Sequence, residues 1–243
     1  MKRVLITGAS SGLGKCLAKE FLHSDYIVWG IGRRNVEELG LNSDIQDGKF
    51  YYSICDVSNQ DEIKTVYSEM AEKHFLPDII ILNAAIQEDD VGQDFNYQVF
   101  RKTFDTNLFG AIKFVELFLP LFLAKKKGVF AAISSLSTYR ALNNNKIGYP
   151  SSKAALNMAF ESFRLQYAAK GVRFIIFNPG RMKEESNSFL TITFSKAAKT
   201  IFHHLNSNKS SNIVNFPLVP TSIFKISQYL PDYLISIIRF REV

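Results

Sequence analysis

The chain has 243 residues, of which 47% are apolar and 21% charged, with a net charge of +6 and a pI near 9.2. That is enough for one large hydrophobic core, and the composition is that of an ordinary globular protein rather than a disordered, collagen-like or disulfide-stapled one. There is no run of about 18 uncharged apolar residues, so no membrane-spanning helix is expected. No charged-then-apolar leader precedes the first apolar run.

That run, Val4–Ile6, begins almost at the first residue and breaks into Thr7-Gly8-Ala9-Ser10-Ser11-Gly12-Leu13-Gly14. Leu13, Leu17, Phe21 and Leu22 then recur at helical spacing over Gly12–His23. Strand, glycine-rich turn and helix in that order can cradle a pyrophosphate. Glycines let the backbone approach closely, and a helix N-terminus offers unpaired N–H groups. A tight turn with no ligand is the plainer alternative.

Further strands are expected at Ile27–Ile31, Phe50–Ile54, Ile79–Leu82, Val129–Ile133, Val172–Phe177 and Ile213–Phe216. Helices are expected near Gln60–Lys73, Phe104–Leu123, Pro150–Ala169 and Ser195–Leu205. Several strands read as unbroken apolar stretches, as when both faces are covered. Strands alternating with helices predict a mostly parallel sheet with right-handed crossovers. The fold class is therefore α/β, a doubly wound Rossmann-type fold with a seven-stranded sheet and helices on both faces. One domain is expected over residues 1–243, with about 184–243 supplying a substrate lid and an amphipathic tail.

In such sheets ligands sit at the carboxyl ends of strands, and the polar residues of interest fall there. Arg33 and Arg34 follow the second strand, where an acidic residue would select NAD and an arginine can pair with a 2′-phosphate. NADP(H) is therefore expected over NAD(H). Arg34 could equally be a solvated residue at a helix start. Asp56 and Val57 follow the third strand, with Asp56 near an adenine amino group or, alternatively, capping a helix. Cys16 and Cys55 are isolated, forming neither a disulfide framework nor a metal site, which fits a reducing cytoplasm. The basic excess lies in no stripe interleaved with aromatics, so no nucleic acid is expected. The run Lys125-Lys126-Lys127 reads as a helix end.

Tyr149 and Lys153 are four residues apart, with Pro150 suited to open a helix. They share one helix face, and a cation there is expected to lower the phenol pKa. Ten tyrosines predict roughly one such pair by chance, so the pair's force comes from its position after the fifth strand. Ser134 and Ser135 end that strand, where a hydroxyl can hold a carbonyl or alcohol oxygen. A turn serine is the default alternative. Asn107 lies in an otherwise apolar helix and could be a satisfied core amide.

Together these residues resemble the short-chain dehydrogenase/reductase family in its short-form branch, over roughly residues 1–205. Thr7-Gly8-Ala9-Ser10-Ser11-Gly12-Leu13-Gly14 is similar to its cofactor turn and Tyr149-Pro150-Ser151-Ser152-Lys153 to its Tyr-x-x-Ser-Lys motif. Asp56, Asn83, Asn107, Ser135 and Pro179-Gly180 fall in the family order. The resemblance implies hydride transfer between a nicotinamide and a carbonyl or alcohol. Tyr149 would be the general acid–base, Lys153 would hold the nicotinamide ribose, Ser135 would polarise the substrate oxygen and Asn107 would support a relay water. Thr7 to Gly14, Asn83, Ala84, Ala85, Pro179 and Gly180 would line the cofactor. It also implies a homodimer or homotetramer through the helices near Phe104–Leu123 and Pro150–Ala169.

Three departures stand out. Ala85 replaces the glycine of the usual Asn-Asn-Ala-Gly. Glu184 stands where a threonine usually holds the carboxamide, leaving a neighbouring backbone group or Ser186 to serve. Ser135 lies one residue further from Tyr149 than usual, leaving Ser134 and Ser137 as rivals. The loop Thr138–Lys146 is polar, suited to a polar substrate or simply solvated.

In the tail, Ile223, Ile226 and Leu230 share a helical face, and Leu234, Ile237 and Ile238 precede Arg239 and Arg241. Two short amphipathic helices are expected, as a substrate lid, a subunit interface or a peripheral membrane anchor. Two alternatives to a soluble reductase are an idle NADP-sensing module and a membrane-surface reductase of lipid or glycan precursors.

Overall fold

The structure is a computed structural model that describes residues 1–35, 47–142, 145–207 and 211–237. Its strands are β1 (Arg3–Thr7), β2 (Ile27–Gly32), β3 (Phe50–Ile54), β4 (Ile79–Leu82), β5 (Gly128–Ile133), β6 (Val172–Pro179), β7 (Arg181–Lys183), β8 (Thr191–Thr193) and β9 (Ile213–Phe216). Its helices are α1 (Gly12–Leu22), α2 (Gln60–Glu72), α3 (Tyr97–Phe104), α4 (Ala111–Lys125), α5 (Gly148–Tyr167), α6 (Phe194–Asn206), α7 (Leu218–Ser227) and α8 (Asp232–Ile237).

Seven strands form one sheet in the order β3-β2-β1-β4-β5-β6-β9, and every pairing is parallel. The expected seven-stranded doubly wound fold is what the chain adopts. Alternation along each strand feeds two cores, because successive side chains point to opposite faces. Val4 and Ile6 join Leu17, Phe21 and Ile201 under α1 and α6. Leu5, between them, joins Ile80, Phe114, Phe118 and Phe160 under α4 and α5. Both faces being covered, β1 and β4 read as unbroken apolar runs. Strand order switches sides between β1 and β4, so the carboxyl ends of these parallel strands open a crevice there.

The helix expected at Phe104–Leu123 begins earlier. Asn96 caps α3, its side chain accepting from Gln98 N at 3.0 Å and Val99 N at 3.2 Å. A π-turn, Asp105–Gly110, then joins α3 to α4. The polar Gln98, Arg101 and Lys102 hide this first segment from an apolar pattern. The whole run Tyr97–Lys125 is long and apolar enough to cross a membrane by length and composition, although Lys113 and Glu116 interrupt its apolar part, so no run of about 18 uncharged residues is present. Its Phe114, Val115, Phe118 and Phe122 nevertheless pack into the second core.

A second, two-stranded parallel sheet pairs β7 with β8. At three residues each, these strands are too short to show a period. Two tail helices are present, but the expected face of Ile223, Ile226 and Leu230 is not formed, because α7 ends at Ser227, before Leu230, and Ile226 is exposed. α7 packs on Leu136–Thr138, burying Pro220, Thr221 and Ser227 while exposing Leu218, Ile226 and, just beyond it, Tyr229. Ile238, Arg239 and Arg241 lie outside the described residues, as do Asn143 and Asn144 of the polar loop.

Candidate active site

The glycine turn is made by close backbone contact. Gly8 has φ +69°, and a Cβ there would stand 2.8 Å from Ala84 Cα. A Cβ on Gly14 would stand 2.0 Å from Gly8 O, so only glycine lets α1 seat on the turn. Thr7 Oγ1 accepts from Asn83 N at 3.0 Å and Ala84 N at 3.1 Å, while Asn83 Nδ2 donates to Thr7 O at 3.0 Å and Gly8 O at 3.2 Å. Thr7 is buried, and these reciprocal bonds lock the ends of β1 and β4 together. Ser11 precedes α1 without making a side-chain cap, which leaves the first N–H groups of that helix for an anion.

One cleft of about 270 Å³ opens here. Gly8, Ser10, Ser11, Gly12, Leu13, Arg33, Asp56, Val57, Asn83, Ala84 and Ala85 line it, all of them expected from the sequence. Gly32, Cys55, Ile86 and Thr106 also line it and were not expected. Thr7, Gly14, Arg34, Tyr149, Lys153, Pro179 and Gly180 are not among its lining residues. A cradle that side chains would fill, beside uncapped helix N–H groups, fits a dinucleotide.

At the far end Arg33 is largely exposed, with Nη1 3.8 Å from Asp56 Oδ2. Asp56 Oδ1 accepts from Ser58 N at 2.9 Å and Ser58 Oγ at 2.7 Å. Burial pushes this carboxyl up, but the Ser58 bonds, Arg33 and Lys102 outweigh it and hold it below its ordinary range. Asp56 is not a helix cap. Asn59 caps α2, accepting from Asp61 N at 3.0 Å and Glu62 N at 3.4 Å. Arg34 is exposed, and its carbonyl accepts from Tyr52 Oη at 2.9 Å. Burial, reinforced by Glu62, Asp56 and Glu69, pushes the Cys55 thiol up to about 12, so it is inert.

At the reacting end the three candidate serines differ in their contacts. Ser134 is buried and donates to Lys153 O at 3.3 Å. Ser137 donates through N and Oγ to Ser135 Oγ at 3.1 and 3.0 Å. The Ser135 side chain is the one that acts on the Tyr149 phenol, pulling its pKa down. Thr138 Oγ1 donates to Ser135 O at 2.9 Å and accepts from Asn157 Nδ2 at 3.2 Å, which pins the Ser135 turn to α5.

Lys153 is buried, its Nζ donating to Ile133 O at 2.8 Å and lying 6.0 Å from the Tyr149 ring centroid. The expected lowering of the phenol pKa by this cation does not appear. Burial pushes Tyr149 up, and the Ser135 bond offsets only part of that. Burial likewise lowers Lys153 from 10.5 to about 8. Both groups lose water together, and desolvation disfavours the charged form of each.

Asn107 sits in the π-turn with its side chain fully engaged. Oδ1 accepts from Ile86 N at 2.8 Å, and Nδ2 donates to Ile86 O at 3.0 Å and Ser152 Oγ at 3.1 Å. It splints the cleft-lining Ile86 segment to the Tyr-x-x-Ser-Lys helix. Its amide is engaged within the core, with both Nδ2 hydrogens donated and one bond accepted at Oδ1.

Pro179 ends β6 and Gly180 N donates to Phe216 O at 2.8 Å. A Cβ on Gly180 would meet Pro217 at 3.3 Å and Leu136 at 3.4 Å, so the tail seats directly on this segment. Glu184 is exposed, and its charge, after burial, raises the thiol of Cys16 on α1. Ser186 Oγ bonds Thr191 Oγ1, so the expected stand-in for the missing threonine is already occupied. Sequence reading missed Asp90, which is buried and accepts from the backbone just ahead of Tyr149. No sequence motif links it to a helix that starts 58 residues later.

The sequence profile of the short chain dehydrogenase family matches residues 2–192. Benzil reductase ((S)-benzoin forming) IRC24 of Saccharomyces cerevisiae is 26% identical over 246 residues, covering 96% of this chain and 93% of its own. The NADPH-dependent pterin aldehyde reductase of Arabidopsis thaliana is 30% identical over 136 residues, 55% of this chain and 56% of its own. A crystal structure of a short-chain dehydrogenase from Streptomyces avermitilis superposes with a TM-score of 0.83 at 21% identity, covering 97% of this chain and 93% of that one.

Proposed function

Because the chain belongs to the short-chain dehydrogenase/reductase family, we propose that it is an NADP(H)-dependent reductase of a small carbonyl compound, with Tyr149 as its proton donor. The observation that carries this reading is Lys153 beside Tyr149, its buried Nζ 6.0 Å from the ring, with the Ser135 side chain acting on the phenol. Ser135 holds the substrate oxygen beside the phenol. Burial keeps Tyr149 protonated at neutral pH, the state a proton donor needs as a carbonyl becomes an alcohol. The nicotinamide supplies the hydride. Lys153, with a pKa of about 8, is mostly charged at neutrality, so its ammonium offsets the phenolate that remains.

The glycine turn and the α1 N-terminus would hold the diphosphate, and Asp56, Val57 and Ala84 the adenosine side. Arg33 supports NADP(H) over NAD(H), because its largely exposed guanidinium is held only at 3.8 Å by Asp56 and can turn to a 2′-phosphate. The Arabidopsis relative, named NADPH-dependent, is consistent with that. Pro179-Gly180 with α7 would wall the substrate side. Exposed Phe109, Met158 and Leu165 on the π-turn and α5 support self-association through that face. Free thiols at Cys16 and Cys55 suit a reducing cytoplasm.

The test is NADPH oxidation over a panel of carbonyls that includes benzil. Tyr149→Phe is expected to lower turnover about 10²–10⁴-fold, the usual loss for a positioned acid–base group, while NADPH still binds. Binding without turnover on any carbonyl would favour an NADP sensor instead, and near-normal turnover in the variant would sink the assignment of Tyr149.

A further inference from the structure

We propose that Asp90 is a positioning residue for the reacting tyrosine: its carboxylate caps the first turn of α5 from another part of the chain and so fixes where the Tyr149 phenol stands. This rests on the acid–base reading of Tyr149 above.

A helix N-terminus leaves N–H groups without partners, and a buried end needs an acceptor. The residue in the capping position of α5 is Ile147, which has none. Asp90 supplies it from the loop between β4 and α3. Its Oδ1 accepts from Ile147 N at 2.7 Å and its Oδ2 from Gly148 N at 2.5 Å. Two oxygens on two consecutive N–H groups set the orientation of the turn as well as its place, and charge-assisted bonds are about twice as strong as neutral ones. Gly148 makes room for this: a Cβ there would stand 2.8 Å from Asp90 Oδ2.

Asp90 is itself held. It is 1% exposed, its N donates to Asn145 O at 3.0 Å, and its O accepts from Asn96 N, the α3 cap, at 2.8 Å. Asp89 and Lys146 pair alongside at 3.5 Å. The β4–α3 loop, the start of α3 and the approach to α5 thus meet at one carboxylate. Tyr149 is the next residue after Gly148, yet its partner Ser135 comes from the end of β5. Lys153 and Asn157 tie α5 to the end of β5 further along the helix; at its first turn, next to Tyr149, Asp90 is the tie. A displacement of about 1 Å at such a pair can cost about 10²-fold in rate.

The experiment uses the NADP⁺-bound protein with ¹³Cζ-labelled tyrosine, in which the Tyr149 resonance is the one lost in Tyr149→Phe. Asp90→Asn keeps the shape but has one acceptor oxygen and turns an NH₂ toward an N–H. Gly148→Ala displaces the carboxylate without removing its charge. In both, the Tyr149 resonance is expected to move, and kcat for benzil reduction to fall about 10–100-fold, while the NADPH Kd stays within about twofold. An unmoved resonance in both variants overturns the proposal, as does NADPH affinity falling as far as kcat, which would make Asp90 a general scaffold residue. Should Tyr149→Phe keep its turnover, the acid–base reading fails. The resonance would still decide whether Asp90 places Tyr149.

Discussion

At the glycine-turn end of the cleft the backbone itself makes the surface, whereas at the tyrosine end side chains from separate segments do. Gly8, Gly12 and the α1 N–H groups form a cradle within one short stretch of chain. Ser135, Tyr149 and Lys153 are brought together by β5 and α5, and held by Thr138, Asn157, Asn107 and Asp90 from elsewhere. A backbone-built site tolerates side-chain change but not added volume. A side-chain-built site tolerates volume better but fails when one polar atom is removed.

Loss of the Tyr149 hydroxyl has the largest expected effect on this contrast, since it removes the chemistry and leaves the cradle. Lys153 comes next and has a pH signature. Its folded pKa of about 8 lies below the ordinary 10.5. Below pH 8 the buried ammonium is charged and costs stability in full. Between about 8 and 10.5 the unfolded chain binds more protons than the folded one, so stability rises with pH and the cost is relieved. Lys153→Met should therefore gain most on the native protein below pH 8, by up to about 3 kcal/mol at 1.36 kcal/mol per unit, and lose that gain toward pH 10.5. Urea midpoints of the two proteins at pH 7 and pH 10 check this; parallel pH curves would refute it.

At the cradle, Gly14→Ala places a methyl 2.0 Å from Gly8 O. A stability loss of about 2–3 kcal/mol is expected from such overpacking, together with loss of NADPH binding. A variant of unchanged Tm that still binds NADPH would show that the turn is softer than its geometry. The smallest effect belongs to the exposed arginine. Arg33→Ala should weaken NADPH by about tenfold, the loss of one charge-assisted contact, and leave NADH unchanged. Equal losses for both cofactors would remove the 2′-phosphate from the argument.

The same division explains what could be read in advance. The seven strands and the glycine turn were legible because each is a local pattern: an apolar run, or a spacing of glycines. The π-turn at Asn107 was not, because its i→i+5 bonding is stabilised by Ile86 and Ser152 rather than by its own residues. The order Ser134, Ser135, Ser137 left three hydroxyls equivalent, and only the turn after β5 sends Ser134 Oγ to Lys153 O and Ser137 Oγ to Ser135 Oγ. Nothing in the sequence marks that the Ser186 hydroxyl bonds Thr191, because β8 brings that residue back to it.

By itself, then, the sequence determined the sheet, its two apolar faces, the cradle and the tyrosine–lysine pair, since these follow from period and from residues near in the chain. The tertiary structure decided that Ser134 and Ser137 bond Lys153 and Ser135, that Asn107 is engaged within the fold, and that Asp90 caps the helix. It also reversed the expected shift of the tyrosine. Spacing predicted a cation lowering its pKa, but burial acts on both groups at once, and burial belongs to the packed molecule rather than to any segment of it.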